Sequence, residues 1–385
     1  MTTWKEYRFS DFVTINPLLK LKKGKSYSFV EMKDMSAGQK FCTPSIERKL
    51  SGGAKFENGD TLFARITHCL ENGKICQVSG LKNGVGFGST EFFVFRGKDG
   101  ISDNEFVYYL SRWDEVRAFA EMNFDGTSGR QRVPKDAFNN QILNLPDFPE
   151  QKSIASILSS LDDKIDQLHL QNKTLEALAE TLFRQWFVEE AEAGWEVGTI
   201  EDEFDFTMGQ SPSSSSLNEI GNGMIFYQGR TDFSSRFPEP RVYTTEPNRL
   251  AKKFDTLVSV RAPVGDMNMA TEDCCLDRGV AAFRYKHNNS FSTYTYYKLR
   301  SLMSQIKQFE DSGTVFGSIG KDDFKKLENI IPPKILIHKF QKETNLLDEK
   351  IYQNTNQIRT LTCLRDTLLP KLMSGEVRIK ELELL

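Results

Sequence analysis

Histidine and cysteine, the side chains that most often bind metals or act as nucleophiles, are few and scattered in this chain. The four histidines lie far apart in the sequence, at His68, His169, His287 and His338. The cysteines include no C-x-x-C pair, and two adjacent cysteines clamp a metal ion poorly. We interpret all six as reduced thiols, namely Cys42, Cys69, Cys76, Cys274, Cys275 and Cys363. The sequence therefore predicts no metal site.

Motifs that bind nucleotides or support hydrolysis are also missing from the sequence. There is no G-x-x-x-x-G-K-[ST] phosphate loop, no H-E-x-x-H helix and no G-x-S-x-G turn. Residues 84–88 read GVGFG, which lacks the spacing of a dinucleotide-binding turn. A nuclease site built from acidic residues and a lysine is the alternative, but no such constellation stands out. We expect a protein that binds and organises other molecules and has no catalytic residues.

Two acidic pairs occupy equivalent positions in two predicted helices. Asp162 and Asp163 lie in the segment SSLDDKID, and Asp348 and Glu349 lie in the segment NLLDEKIY. We interpret these pairs either as solvated helix faces or as surfaces that dock a partner protein. Paired catalytic carboxylates are the less favoured interpretation.

A long helix with a coiled-coil stripe is predicted from Pro149 to Trp186. Apolar or near-apolar residues recur there at alternating steps of four and three, which is the 3.5-residue average of a coiled-coil seam. The stripe consists of Ile154, Leu158, Leu161, Ile165, Leu168, Asn172, Leu175, Ala179, Leu182 and Trp186. One helix cannot bury a one-sided stripe against itself, so a second helix must cover it.

The stripe recurs between Phe340 and Leu372, which reveals an internal repeat. Each helix follows a globular region in which a strand ends at an arginine, TLFAR at 61–65 and TLVSVR at 256–261. This order predicts an α+β fold with a pseudo-twofold repeat, in which two long antiparallel, coiled-coil-like helices separate two similar globular domains. The predicted parts are the first globular domain, the first long helix, the second globular domain, and the second helix with its tail, at residues 1–148, 149–193, 194–332 and 333–385.

The register of the helix pair follows from matching the two ends of the stripes. Placing Ile154 opposite Leu372 brings Asn172 opposite Asn354. Two seam asparagines that bond each other penalise slipped registers, because a slip leaves a buried amide unpaired. The alternative is that either asparagine lies at the edge of the seam in water.

Charge and hydropathy restrict the location and the partners of the chain. The net charge is −3 over 385 residues, which argues weakly against a nucleic-acid binder, but residues 1–148 alone carry a net charge of +3. A cluster at Lys20, Lys22, Lys23 and Lys25 is either a solvated run or a set of phosphate contacts. No apolar run approaches a membrane span, and the first residues do not resemble a signal peptide. We expect a cytoplasmic protein without membrane contact.

The whole chain resembles the specificity subunit of type I restriction-modification enzymes. The resemblance lies in PEQKSIASILSSLDDKID at 149–166, the paired segments VPKDAF and GKDDF before each helix, the strand ends described above, and the closing LLPKLMSGEVRI. It implies that each globular part is a target recognition domain that reads one half of a bipartite DNA site. It further implies that the helices set the spacer and dock two modification (methyltransferase) subunits.

The resemblance also implies the rest of the assembly. Two restriction (motor-nuclease) subunits would complete the complex on double-stranded DNA. The specificity subunit would have no catalytic activity and no cofactor of its own, so that S-adenosylmethionine, ATP and Mg²⁺ would bind to the partner subunits. The alternative from another class is a two-headed protein–protein scaffold that does not bind DNA.

Under this resemblance, the candidate DNA contacts are polar residues at strand ends and in a glycine-rich loop. Those at strand ends are Arg65, His68, Gln228, Arg230 and Arg261. Those in the loop GTSGRQR are Arg130, Gln131 and Arg132, where guanidinium groups and backbone amides suit phosphate or guanine. For each residue, a surface salt bridge or a turn is the alternative role. The candidates for partner docking are Asp162, Asp163, Asp348 and Glu349.

Overall fold

The computed structural model describes residues 4–127, 129–311 and 317–379. The chain forms two compact units. The first unit comprises Met1–His169 and Asn356–Leu385, and the second unit comprises Leu170–Thr355. Each predicted long helix therefore contributes residues to both units, and the helices do not form a separate body.

The first unit is built from short strands and helices around three sheets. Its strands are β1 Lys5–Arg8, β2 Val13–Ile15, β3 Ser26–Val30, β4 Phe41–Cys42, β5 Ile46–Lys49, β6 Ala54–Glu57, β7 Thr61–Ala64, β8 Ile75–Val78, β9 Val85–Gly88, β10 Phe92–Gly97 and β11 Ile142–Leu145. Its short helices are α1 Phe9–Phe12, α2 Thr67–Glu71, α3 Asn104–Arg112 and α4 Asp114–Met122. The sheets have the strand orders β2-β10-β7-β8-β4, β5-β3-β9-β6 and β1-β11.

The core of the first unit lies beneath β10, an inner strand of the five-stranded sheet. This strand reads FFVFRG, a nearly continuous apolar run typical of a strand buried on both faces. Rings from several elements cluster there, and Phe138 stacks on Phe9 with the ring centroids 4.8 Å apart. Helix α3 packs on the same core, and its first turn is capped because Asp103 accepts a hydrogen bond from the Phe106 backbone N–H at 3.0 Å.

Helix α2 lies between β7 and β8, where Leu70 turns back into the core. The cysteines of this unit differ from the sequence-based prediction. Cys42 and Cys76 form a disulfide across the neighbouring parallel strands β4 and β8, with Cα atoms 5.9 Å apart. The interpretation of all six cysteines as reduced thiols is therefore wrong for this pair, which lies 34 residues apart and meets only through the sheet.

The first long helix and the second unit follow in the chain. Helix α5 spans Phe148–Arg184 and ends in a π-helical turn at Gln185–Glu189. The strands of the second unit are β12 Glu196–Thr199, β13 Phe204–Met208, β14 Leu217–Asn218, β15 Met224–Tyr227, β16 Val242–Thr244, β17 Leu250–Ala251, β18 Thr256–Ser259, β19 Met267–Met269, β20 Cys274–Leu276, β21 Val280–Tyr285 and β22 Glu328–Ile331. The remaining helices are α6 Ile200–Glu203, α7 Ser292–Ser301, α8 Met303–Asp311, α9 Lys321–Lys326 and the second long helix, α10 Lys334–Ser374.

Two sheets of the second unit repeat strand orders of the first, as the internal repeat predicts, whereas the sheet β14-β16-β15-β20-β17 differs from β5-β3-β9-β6. Strands β13-β21-β18-β19 correspond to β2-β10-β7-β8, and β12-β22 corresponds to β1-β11. A buried ion pair recurs as well. Arg96 on β10 binds Asp60 with Nε 2.6 Å from the carboxylate, and Arg284 on β21 binds Asp255 with Nε 3.0 Å from the carboxylate. The two units therefore share one scaffold.

The helix segments pack antiparallel within each unit. In the second unit, Asn354 donates a hydrogen bond to Asn172 at 2.9 Å, which is the contact that the register predicts, and Phe183 packs on Phe340. In the first unit, Ile154 and Leu372 are buried in the same core. Antiparallel order follows because residues late in α5 meet residues early in α10.

Candidate nucleic-acid interface

The first unit contains a cleft beside the end of β7. We call it the first cleft; its volume is about 320 Å³, and it is lined by Asn16, Pro17, Leu18, Leu19, Gly53, Ala54, Lys55, Arg65, Thr90, Phe92, Val94 and Lys135. Arg65 is the predicted contact residue that reaches it. Its guanidinium lies 5.0 Å from the ring centroid of Phe93, and its Nε atom is buried with no partner among the described residues. This burial lowers the pKa of Arg65.

The other candidates of the first unit lie around the glycine-rich loop and do not line the cleft. Arg132 binds Glu91 with both Nε and Nη2 at 2.8 Å and also donates to the Arg130 carbonyl. The Gln131 carbonyl accepts from Thr67, so Gln131 joins the loop to α2. The guanidinium of Arg130 is exposed and has no partner among residues 4–127, 129–311 and 317–379. Ser128, which belongs to the same loop, lies outside these residues.

His68 and the predicted lysine cluster are exposed. The His68 Nδ1 atom lies 3.3 Å from the Glu71 carboxylate on the short helix α2. The lysines at 20, 22, 23 and 25 follow directly after the cleft residues Asn16 to Leu19 and are all solvent-exposed. Two other lysines, Lys55 and Lys135, line the first cleft itself.

The second unit has a larger cleft at the ends of β18 and β21, the strands that correspond to β7 and β10 of the first unit. We call it the second cleft; its volume is about 620 Å³, and it is lined by Gln228, Gly229, Arg230, Thr231, Ser259, Arg261, Ala262, Pro263, Asp277, Arg278 and Gly279. It brings together all three predicted contact residues of this unit. It also contains Arg278, which sequence reasoning missed.

The missed arginine could have been found from strand pairing. Strands β18 and β21 are antiparallel, with Ser259 opposite Val280, and the Val260 N–H donates to the Gly279 carbonyl at 2.8 Å. Continuing that register by two residues places Arg278 opposite Arg261. The same two steps in the first unit, counted from the pair Ala64 and Phe92, place Thr90 opposite Ile66. Arg65, whose N–H bonds the Glu91 carbonyl at 3.0 Å, corresponds instead to Val260. The positions equivalent to Arg261 and Arg278 are therefore uncharged in the first unit.

A buried aspartate organises one wall of the second cleft. Asp232 accepts from the Gln228 backbone N–H at 2.6 Å and from Arg241 Nη2 at 3.1 Å. Arg241 also donates to the side-chain oxygen of Gln228 at 2.9 Å. Arginine is only a donor, so the oxygen of the Gln228 amide faces Arg241, and the NH₂ end is left for a ligand. Arg230 lies 3.5 Å from Asp266 and is partly neutralised.

The acidic pairs on the long helices are not uniformly exposed, which corrects the sequence-based interpretation. Asp162 is 2% exposed and accepts from the Tyr109 hydroxyl at 2.8 Å and from Arg365 at 2.6 Å. Asp348 is 8% exposed and accepts from the fully buried Arg236 at 2.6 Å. Neither a solvated face nor a docking surface describes these two residues, because an arginine already neutralises each of them inside its unit.

The second member of each pair faces solvent, as the helical period requires. Asp163 is exposed and lies 3.7 Å from the Lys40 ammonium. Glu349 is exposed and accepts from Asn345 one turn earlier at 2.5 Å. These two residues remain on surfaces that a partner could reach.

Two other kinds of site are absent from the described residues. Within residues 4–127, 129–311 and 317–379, no group of three or more His, Cys, Asp or Glu side chains could hold a metal ion. Among the helices of those same ranges, none combines the length and the apolar character that crossing a bilayer requires.

Comparison with known proteins identifies the family. The family described as "Type I restriction modification DNA specificity domain" matches residues 1–177 and again residues 192–352. A putative type I restriction enzyme MjaX specificity subunit of Methanocaldococcus jannaschii is 29% identical over 84% of this chain and 79% of its own length. The type I restriction enzyme HindI specificity subunit of Haemophilus influenzae is 25% identical over 98% of this chain and its full length.

One solved structure has the same fold. The crystal structure of the type I restriction-modification system S subunit from M. genitalium aligns with 97% of this chain and 96% of its own, with a TM-score of 0.58 and 18% identity. The family matches each of the two repeats and most of the chain. This chain therefore belongs to the family of type I restriction modification DNA specificity domains.

Proposed function

We propose that this chain is the DNA sequence-recognition subunit of a type I restriction-modification complex. Each unit reads one half of a bipartite DNA site, and the helix pair sets the spacer between the halves. The observation that carries the proposal is that the ends of the same paired strands border a cleft in each unit, with different side chains. Arg261 lies opposite Arg278 beyond these strand ends in the second unit, whereas the equivalent positions of the first unit hold Ile66 and Thr90. Two differently lined clefts on one scaffold suit a site with two different halves.

The protein partners of this proposal are inferred from the family to which the chain belongs. The chain acts with two methyltransferase subunits and two motor-nuclease subunits in the cytoplasm, and it has no catalytic activity itself. S-adenosylmethionine, ATP and Mg²⁺ bind to those partners. The names of the relatives as specificity subunits support this division of roles. Exposed faces of α5 and α10, including Asp163 and Glu349, are where a partner would dock.

Sequencing of DNA methylation in a host that expresses this chain with its partner subunits tests the proposal. The expected result is a methylated motif made of two short specified sequences with an unspecified gap of constant length. Omitting this chain while keeping the partners should abolish the motif. If the partners methylate the same sequence without it, or if no motif appears while the assembled complex is present, the chain is a protein scaffold instead.

A further inference from the structure

We infer that the half-site read by the second unit contains guanine, and that Arg261 and Arg278 read its major-groove edge. This inference rests on the proposed function and goes beyond it, because it names the base and the residues. The observation behind it is that the most accessible side chains of the second cleft are hydrogen-bond donors.

The backbone fixes the positions from which the two arginines project. Arg261 follows β18 and forms an isolated bridge with Ser318, while the Ser259 hydroxyl donates to the Pro263 carbonyl at 2.8 Å and closes the loop behind it. Arg278 precedes β21, and the Val260 N–H bonds the Gly279 carbonyl beside it. Both side chains therefore start from neighbouring, hydrogen-bonded strand ends, and little loop ordering is needed before they contact a ligand.

The two guanidinium groups have no partner in the part of the chain that the structure describes. Other arginines of this unit are neutralised by aspartates, as Arg236 is by Asp348 and Arg284 is by Asp255. Two exposed positive charges at adjacent strand ends repel each other in the free protein. A ligand rich in hydrogen-bond acceptors removes that repulsion, and a duplex with guanine in its groove provides such a ligand.

The two arginines, rather than Gln228, decide the choice of base. Arg241 uses one lone pair of the Gln228 side-chain oxygen, and the second lone pair and the NH₂ group stay available, so Gln228 is compatible with guanine and with adenine. In the major groove, guanine presents two acceptors, N7 and O6, whereas adenine places a donor beside its acceptor. A cleft lined by Arg261 and Arg278 therefore favours guanine over adenine.

One acidic residue of the second cleft is compatible with this assignment. Asp277 precedes Arg278 and accepts a hydrogen bond from the Ser211 hydroxyl at 2.5 Å. Its remaining lone pairs can accept from the N4 amino group of cytosine, which is the base paired with guanine. The first cleft lacks this arrangement, because Ile66 and Thr90 stand at the positions equivalent to Arg261 and Arg278. The guanine assignment therefore applies to the second unit alone.

The test pairs a change in the DNA with a change in the protein. Once methylation sequencing has defined the motif, duplexes are prepared in which single guanines carry 7-deazaguanine, which has no N7 acceptor. Their affinities for the complete complex are measured with wild-type chain, Arg261→Ala, Arg278→Ala and the control Arg249→Ala, an exposed arginine of the same unit outside the cleft. The DNA change leaves protein folding untouched, so loss of folding cannot imitate the result.

The expected result is a loss of about 10-fold in affinity for wild-type and Arg249→Ala complexes when one guanine of one half-site is replaced. Arg261→Ala or Arg278→Ala should weaken binding to the normal duplex by a similar factor. The affinity of these variant complexes should not change further when 7-deazaguanine replaces that guanine. Three outcomes would overturn the inference: neither half-site contains guanine, every variant responds to 7-deazaguanine as wild type does, or the arginine variants lose affinity equally for all sequences, as phosphate contacts do. Failure of the proposed function has a different signature, namely no bipartite motif and no sequence-specific binding by wild type.

Discussion

Arg130 and Arg132 are two residues apart in one loop, yet the structure places them in different environments. Arg132 is held by Glu91 through two nitrogens, whereas Arg130 projects into solvent. A guanidinium that is already bound to a carboxylate must break that contact before it can bind phosphate. Within this loop, Arg130 is therefore the arginine available for DNA.

We predict that Arg130→Ala makes the negative slope of log affinity against log salt shallower by about one, because one phosphate contact is lost. Arg132→Ala should leave that slope unchanged and alter the free energy of unfolding little, because the pair with Glu91 is exposed to solvent. Titrations of one duplex at several salt concentrations measure the slope. Equal slopes for the two variants would contradict this division between them.

Asp166 on α5 is a titratable residue with a perturbed environment. Burial, reinforced by Asp162 and Asp163, raises the pKa of Asp166 to about 6, against the opposing charges of Lys40 and Arg365. The folded protein therefore holds this proton more tightly than the unfolded chain, in which the pKa is near 3.8. The stabilisation from protonated Asp166 is complete below the unfolded pKa of 3.8 and is lost as the pH rises through the folded pKa of about 6.

We predict that Asp166→Asn raises the free energy of unfolding at pH 7.5 by about 1 kcal/mol, a figure reduced for the partial exposure of the group. The gain should shrink steadily as the pH falls from about 6 toward 4. Urea unfolding of the two proteins across this range measures the effect. Asp136→Asn, the same substitution at an exposed site of the same unit, is the control. A gain that is independent of pH would contradict the assignment.

At the scale of elements, a buried arginine joins the second long helix to its globular part. Arg236 lies in the segment between β15 and β16, and its guanidinium lies 3.3 Å from the ring centroid of Tyr296 on α7. One nitrogen donates to Asp348 on α10 at 2.6 Å. Both charges are removed from water, so either one alone is costly to keep. The pair therefore fixes how α10 packs on this unit.

We predict that Arg236→Met lowers the free energy of unfolding by roughly 3–5 kcal/mol, because Asp348 is left charged and buried without a partner. The double variant Arg236→Met with Asp348→Leu should recover most of this loss. Arg249→Met is the matched control at an exposed arginine. Denaturant unfolding monitored by circular dichroism gives the comparison. A double variant as unstable as the single one would show that packing, rather than the unpaired charge, dominates.

At the scale of the whole molecule, the two units have separate hydrophobic cores. The core of the first unit contains Phe9 and Phe138, and that of the second contains Phe204 and Phe340. Each core includes residues of both long helices, so neither globular part is complete without them. A change in one cleft should therefore leave the other cleft intact.

We predict that Arg261→Ala relaxes only one half of the methylated motif. A lost base contact removes about 1–3 kcal/mol of discrimination at one position, so that position should become degenerate while the other half and the gap stay the same. Methylation sequencing of a host that expresses the variant with its partners reads both halves at once. Degeneracy in both halves would contradict the independence of the two clefts.

The sequence alone determined the architecture of this protein. The 3.5-residue stripe from Ile154 to Trp186 and its recurrence in α10 predict two long helices, because a one-sided apolar stripe is stable only against a partner. The matching strand ends at Arg65 and Arg261 predict a repeated globular scaffold. Local periodicity carries this information, so no long-range contact was needed to obtain it.

Only the tertiary structure decided which side chains are buried and which are neighbours. Asp162 and Asp163 are adjacent and chemically identical in sequence, but one turns inward to Arg365 and the other turns to solvent. Arg278 joins Arg261 through the pairing of two strands, and Cys42 meets Cys76 across a sheet. These contacts depend on strand register and on the direction of a helix face in three dimensions. Residues far apart in the chain set both, so local sequence patterns could not supply them.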